Sequence, residues 1–236
     1  MTVKLYLEDS YLKEATAKVV STEGGIILDK TVFYPTGGGQ PCDLGTISTP
    51  AASYTVTDVK KNGDDVLHII SGECKLAPGD EVRCAIDWER RYAHMRHHTA
   101  LHVIDGVMEK KYNGAITGNQ IYTNRLRMDI EINGLTREMV AEIIKDSQVI
   151  VDEGHDIIMK TISQAEALAN PNLVRTEPGR ELVKRLNSVQ VLDIVGFDMQ
   201  IDAGTHVHNT KEVGRIELSG FESKGANKKR VEVVLK

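Results

Sequence analysis

A chain of 236 residues with 27% charged and 41% hydrophobic positions has the composition of a globular protein able to bury a core, in one large domain or two small ones. No apolar run reaches the length of a membrane span, and Met1–Asp9 lacks the apolar centre of a secretory leader. The net charge of -5 does not advertise a nucleic-acid binder, and Cys42, Cys74 and Cys84 show no CxxC spacing, so the expectation is buried thiols in a reducing cytoplasm.

The first third reads as strands. Ala17–Ser21 and Gly25–Asp29 flank a Thr22-Glu23-Gly24 turn, and Thr46–Ser48, Tyr54–Val59, Val66–Ile70 and Glu81–Ile86 follow. Turn residues at 61–64 and 77–80 separate them, and short strands at this spacing predict a small barrel. Within it lies Phe33-Tyr34-Pro35-Thr36-Gly37-Gly38-Gly39-Gln40. Successive glycines allow backbone conformations and approaches that a Cβ forbids. The plain reading is a tight loop; the functional one is a loop facing a ligand or the neighbouring domain. No Lys-Ser/Thr follows, so it is not a phosphate loop.

Composition changes at Trp88. Residues 1–88 hold 8 Lys+Arg against 13 Asp+Glu, whereas residues 89–236 hold 21 of each sign and seven of the eight histidines. Two domains are expected, 1–88 and 89–236. The second opens on a helix, with apolar Met95, Leu101, Ile104 and Met108 at steps of three or four once His98 is included. Then come paired strands at 115–122 and 124–132, a helix from Arg137 to about Val151 capped by Thr136, and a strand at 156–162. A short helix starts at Ser163, and strands are expected at 189–194, 213–218 and 230–235. The fold class is α+β: an antiparallel sheet with helices packed on it, following a β-barrel.

His98 and His102 lie four apart on the helix and so share a face, which supplies half of a tetrahedral zinc site. A zinc protease would need Glu directly after the first histidine; here it is Thr99. The best source of further ligands is Asp202-Ala203-Gly204-Thr205-His206, where Ala203-Gly204 suggests a bend that turns a carboxylate and an imidazole toward one ion. A single histidine is more often surface or core than ligand. Two such pairs together favour a metal site.

Arg96-x-His98-Thr99-Ala100-Leu101-His102, Asp202-Ala203-Gly204-Thr205-His206 and Phe33–Gln40 resemble the motifs of freestanding alanyl-tRNA editing proteins, relatives of the editing domains of alanyl- and threonyl-tRNA synthetases. The likeness runs over nearly the whole chain, through Glu222-Ser223-Lys224-Gly225, and the barrel makes it similar to the medium-length form. The resemblance implies one zinc ion held by His98, His102, His206 and, as fourth ligand, Asp202, where many members carry Cys. It further implies hydrolysis of a wrong amino acid, serine foremost and then glycine, from alanine tRNA, a cytoplasmic reaction with no membrane partner.

Thr99 and Asp202 are the expected catalytic residues, with Thr99 recognising the serine hydroxyl; the alternative is that Thr99 bonds back to its own helix. Substrate contacts are expected from Thr99, Gln200, Gly37, Gly38 and Gly39. Arg96, Lys224, Lys228, Lys229 and Arg230, together with Arg90 and Arg91, are the candidate tRNA-binding cations, although a Lys-rich turn is as often a solvated hairpin tip. Two competing readings are another zinc-dependent ester or amide hydrolase, and a zinc-stabilised tRNA-binding module without catalysis. A metal closed by four protein ligands would favour the module.

Overall fold

The computed structural model describes residues 1–170, 173, 180, 181, 183–225 and 228–236. They form two compact units, Met1–His94 and Met95–Lys236.

In the first unit β1 (Val3–Lys4) pairs in parallel with β4 (Lys30–Thr31). Strands β2 (Glu14–Ser21), β3 (Ile26–Leu28), β5 (Gly45–Ser48), β6 (Ser53–Asn62), β7 (Asp65–Ile70) and β8 (Glu81–Ile86) close into an antiparallel barrel in the order β2-β3-β7-β6-β5-β8. Alternation explains it: in β8, Val82, Cys84 and Ile86 are buried while Glu81 and Arg83 face solvent. Burial pushes the Cys84 thiol up to about 12, so it is an inert core group.

The glycine motif follows β4. Gly37 and Gln40 exchange backbone hydrogen bonds of 3.1 and 2.9 Å, and Gly38 and Gly39 between them both have positive φ, the pattern of a type I′ turn. The Tyr34 hydroxyl donates to Gly37 O at 3.0 Å. Behind the turn, Asp43 exchanges bonds with the Tyr34 backbone and forms a fully buried ion pair with Arg91, which also donates to Ser10 O and Val32 O. Arg91 is therefore a core anchor of this loop. Its burial removes it from any cationic surface.

The boundary between the units falls within α1 (Trp88–Tyr112). In the second unit, β9 (Ala115–Ile121), β10 (Leu126–Glu131), β14 (Ile216–Ser223) and β15 (Lys228–Leu235) form an antiparallel sheet in the order β14-β15-β10-β9. A second antiparallel sheet contains β11 (Ile157–Ser163), β12 (Ser188–Ile194) and β13 (Asp198–Ile201). Helix α2 (Arg137–Glu153) is capped by the Thr136 hydroxyl, which accepts from Met139 N, and it ends at Gly154 in the left-handed conformation. Helix α3 (Gln164–Ala169) begins at a Ser163–Glu166 capping box. The α+β class expected from the sequence is the one observed, with the later strands divided between two sheets. Strand β14 begins at Ile216 rather than 213, because Asn209 and Glu212 cap a 3-10 turn over Thr210–Val213. Among the described residues no helix is long and apolar enough to cross a membrane.

Candidate metal centre

From His97 to Ile104, α1 is buried on every side, more than a single apolar stripe predicts. That burial makes the helix a rigid carrier for His98 and His102, whose rings lie 5.0 Å apart. The other half comes from the end of β13 and the bend after it. Asp202 Oδ2 accepts from Gly204 N at 2.6 Å, which folds the chain back and returns His206 to 4.5 Å from the His98 ring. Gly204 is required by close approach: a Cβ there would fall inside the His98 imidazole.

One ligand atom from each of His98, His102, Asp202 and His206 lies within 4.8 Å of all the others. The His98 and His102 Nε2 atoms are both 3.6 Å from Asp202 Oδ1, and His206 Nε2 is 2.9 Å from Asp202 Oδ2. Zinc bonds of ~2.1 Å in a tetrahedron set neighbouring ligand atoms ~3.4 Å apart, close to these carboxylate–imidazole distances. Outer partners fix the inward direction of the rings. Gln200 Oε1 is 2.6 Å from His102 Nδ1, and Thr99 Oγ1 is 3.2 Å from His206 Nδ1. With those outer nitrogens engaged, the Nε2 atoms of His102 and His206 face the Asp202 carboxylate, an arrangement that a bound cation would satisfy. His102 Nε2 is buried with no hydrogen-bond partner, as a metal-ligating nitrogen would be.

Charge points the same way. Burial alone would favour protonated Asp202, but His98, His102 and His206 hold its carboxyl well below the usual carboxylate range. For His102, burial pulls the pKa down, and Asp202 and Gln200 bring it above its ordinary value; for His206 burial prevails and the value falls. The cluster is thus a buried anion among imidazoles. Its open side is set by exposure: the Asp202 and His102 side chains are 15% and 10% exposed, against 2% and 1% for His98 and His206.

Thr99 is fully buried, and its hydroxyl meets both His206 Nδ1 and Val207 N, across elements rather than back along its own helix. Gln200, expected at the substrate, lies beneath His102: its Nε2 donates to His102 O at 3.0 Å and to Asp198 Oδ2 at 2.7 Å. Asp198 was not singled out from the sequence. The available signal was the alternation Asp198-x-Gln200-x-Asp202, three polar residues on one strand face. Gly37, Gly38 and Gly39 belong to the first unit.

The proposed cations are mostly engaged. Arg96 donates to Val213 O and Lys236 O, Lys224 pairs with Glu222 at 2.7 Å, and Arg230 grips Asp129 at 2.8 and 2.9 Å. Lys229 Nζ donates to Ser223 Oγ at 3.0 Å, and Lys228 stands across from Glu131 in the β10–β15 register. Arg90 donates to Cys42 O.

Comparison with known proteins gives the family. The family model described as tRNA synthetases class II (A) matches residues 2–90, and that of the threonyl and alanyl tRNA synthetase second additional domain matches residues 189–232. The chain is 37% identical over 240 residues to alanyl-tRNA editing protein AlaX-M of Saccharolobus solfataricus, covering 100% of both chains. The chain belongs to the alanyl-tRNA editing protein family. A second member, AlaX-M of Methanosarcina barkeri, is 35% identical over 238 residues and 98% of each chain. The likeness of this editing-protein family to the ligases is also plain: alanine–tRNA ligase of Ignicoccus hospitalis is 36% identical over 221 residues, 92% of this chain but 24% of the ligase.

Proposed function

We propose that this chain hydrolyses the ester linking a wrong amino acid to alanine tRNA, serine foremost and glycine second, at a zinc ion in the cytoplasm. The observation that carries the proposal is the convergence of His98, His102, Asp202 and His206 in a chain of the editing family. We assign the reaction to residues 89–236, and a role as docking platform for the substrate to the barrel of residues 1–88 and its Gly37–Gly39 turn. Zinc held by these four side chains supplies Lewis acidity, polarising an ester carbonyl and making water more acidic.

The chain's own groups do the rest. Ionised Asp202 and three neutral imidazoles would hold the cation, and the partial exposure of Asp202 and His102 gives the side from which the ester would enter. Thr99 Oγ accepts from Val207 N–H, and with His206 as the Nδ1–H tautomer it accepts from that ring as well, which leaves its own hydroxyl proton to donate. We assign that proton to the hydroxyl of a serine substrate. A site that hydrogen-bonds a substrate hydroxyl discriminates strongly against an analogue lacking it. Thr99→Val should therefore cut hydrolysis of the serine ester at least tenfold more than that of the glycine ester, measured as kcat/KM on each tRNA. Equal losses would reduce Thr99 to a support for His206.

Four protein donors also suit a closed, purely structural zinc, the binding-module reading. Deacylation of serine- and glycine-charged alanine tRNA, with the correctly charged tRNA as control, separates the two. Activity that a chelator abolishes and added zinc restores supports the hydrolase. A metal-loaded protein that binds tRNA without deacylating it supports the module.

A further inference from the structure

The two ends of a glutamine amide are nearly the same size, so a glutamine beside an imidazole can present either its oxygen or its NH2 group. Gln200 has no such freedom. Its Nε2 faces His102 O and Asp198 Oδ2, both acceptors only, so a flipped amide would set oxygen against oxygen twice. Asp198 and Gln200 are two apart on β13 and share a face. Space for the Asp198 carboxylate comes from α1. Gly106 lies one turn beyond His102, and a Cβ there would stand 2.8 Å from Asp198 Oδ2 and 2.8 Å from Phe197 Cε1. The same oxygen that receives Gln200 Nε2 thus stands closer to that position than a methyl group would tolerate.

We propose that Asp198 and Gly106 are positioning residues for the metal centre: Gly106 admits the Asp198 carboxylate, Asp198 locks the Gln200 amide, and Gln200 holds His102 as the Nδ1–H tautomer with Nε2 facing Asp202. The proposal rests on the metal reading above, but its first consequence is visible without metal. In metal-free protein, at a pH alkaline enough to leave the ring neutral, 15N NMR of the histidine rings should show the remaining proton of His102 on Nδ1. Asp198→Asn, an isosteric change that lets the neighbouring group donate or accept, should give a mixture of tautomers. Gly106→Ala should do the same by displacing the carboxylate, although Ala is the better helix former. An Nε2–H tautomer in the unaltered protein, or a single Nδ1–H tautomer in both variants, overturns the proposal.

Zinc affinity, measured by competition with a chelating dye, gives the second readout. Gln200→Leu should weaken binding by about 10–100-fold, the range for loss of an outer partner of a metal-bound histidine, and Asp198→Asn by about tenfold. In a Gln200→Leu background Asp198→Asn should cost nothing more, because Asp198 acts through the amide. A full further loss there overturns the relay. If the unaltered protein binds no zinc while Asp198→Asn still frees the tautomer, the metal reading falls and the relay stands. If zinc binds tightly and Asp198→Asn changes neither readout, the relay falls alone.

Discussion

The partners on the two ring nitrogens tell a core histidine from the histidines of the candidate metal centre. His68, inside the barrel, is satisfied on both sides: Nδ1 donates to Ile26 O at 2.8 Å, and Nε2 accepts from the Thr31 hydroxyl at 2.8 Å. Thr31 Oγ in turn accepts from Phe33 N, so His68 fastens the chain where it enters the glycine motif. His102 and His206 have a protein partner on the outer nitrogen, and their inner nitrogens face Asp202. His68 accordingly has a structural consequence. Burial lowers its pKa from 6.5 to about 4. Unfolded, it takes up a proton as the pH drops through 6.5; folded, it stays neutral until about 4. The unfolded chain binds more protons in that window, so the contribution is complete above pH 6.5 and is lost as the pH falls toward 4, by roughly 3 kcal/mol. Urea titrations at pH 7 and pH 4.5 should show the decline, and His68 ring resonances should remain those of neutral imidazole at pH 5. A His68 that titrates between 6 and 7 would remove it as the cause.

At the scale of elements, the barrel and the site differ in how far the sequence exposes them. Short strand-like runs between turn residues marked β2, β3 and β5 to β8, and the four-residue spacing of His98 and His102 marked one half of the centre, because both are local signals. Of the later pairings, that of β9 with β10 was readable and is observed, but that of β10 with β15 was not, being a choice made by burial across the whole unit. The anchor of the glycine motif was hidden for the same reason, since Asp43 and Arg91 are 48 residues apart and each alone looks like a surface charge. Their pairing makes a definite demand. Both side chains are fully buried, so Asp43→Asn leaves the Arg91 guanidinium without its counter-charge, and breaking such a pair costs about 3–5 kcal/mol. Asp43→Asn should lower the unfolding free energy by that order in a denaturant titration. Replacing both residues by apolar ones of similar volume should recover much of the loss. A single variant within 1 kcal/mol of the parent would mean that Arg91 is held by Ser10 O and Val32 O without need of the carboxylate.

Across the whole molecule, charge sets the terms on which a polyanion is met. The net charge is -5, with the acidic excess in residues 1–88, so long-range attraction to RNA is weak and any affinity must come from a few local cations. The β14–β15 hairpin was the sequence's candidate, and its cations are not equivalent. Arg230 is committed to Asp129 through two hydrogen bonds and Lys224 to Glu222, so removing either chiefly breaks an intramolecular pair. Among the described residues Lys229 reaches only neutral oxygens, of Ser223 and Gly225, which leaves its charge unpaired there and suited to a phosphate. Lys228, beside it on the same strand and across from Glu131, forms no ion pair within 4.0 Å among the described residues. If this tip contacts the tRNA backbone, each released counterion contributes about 0.7–0.9 to the slope of log affinity against log salt. The double substitution Lys228→Ala and Lys229→Ala should then flatten that slope by about 1.5 and weaken binding most at low salt. Arg230→Ala should leave the slope within about 0.3 of the parent while reducing thermal stability through the unpaired Asp129. Filter binding or fluorescence anisotropy over a potassium chloride series measures both. An unchanged slope in the double variant would make the tip a solvated turn and move the RNA contact to another face.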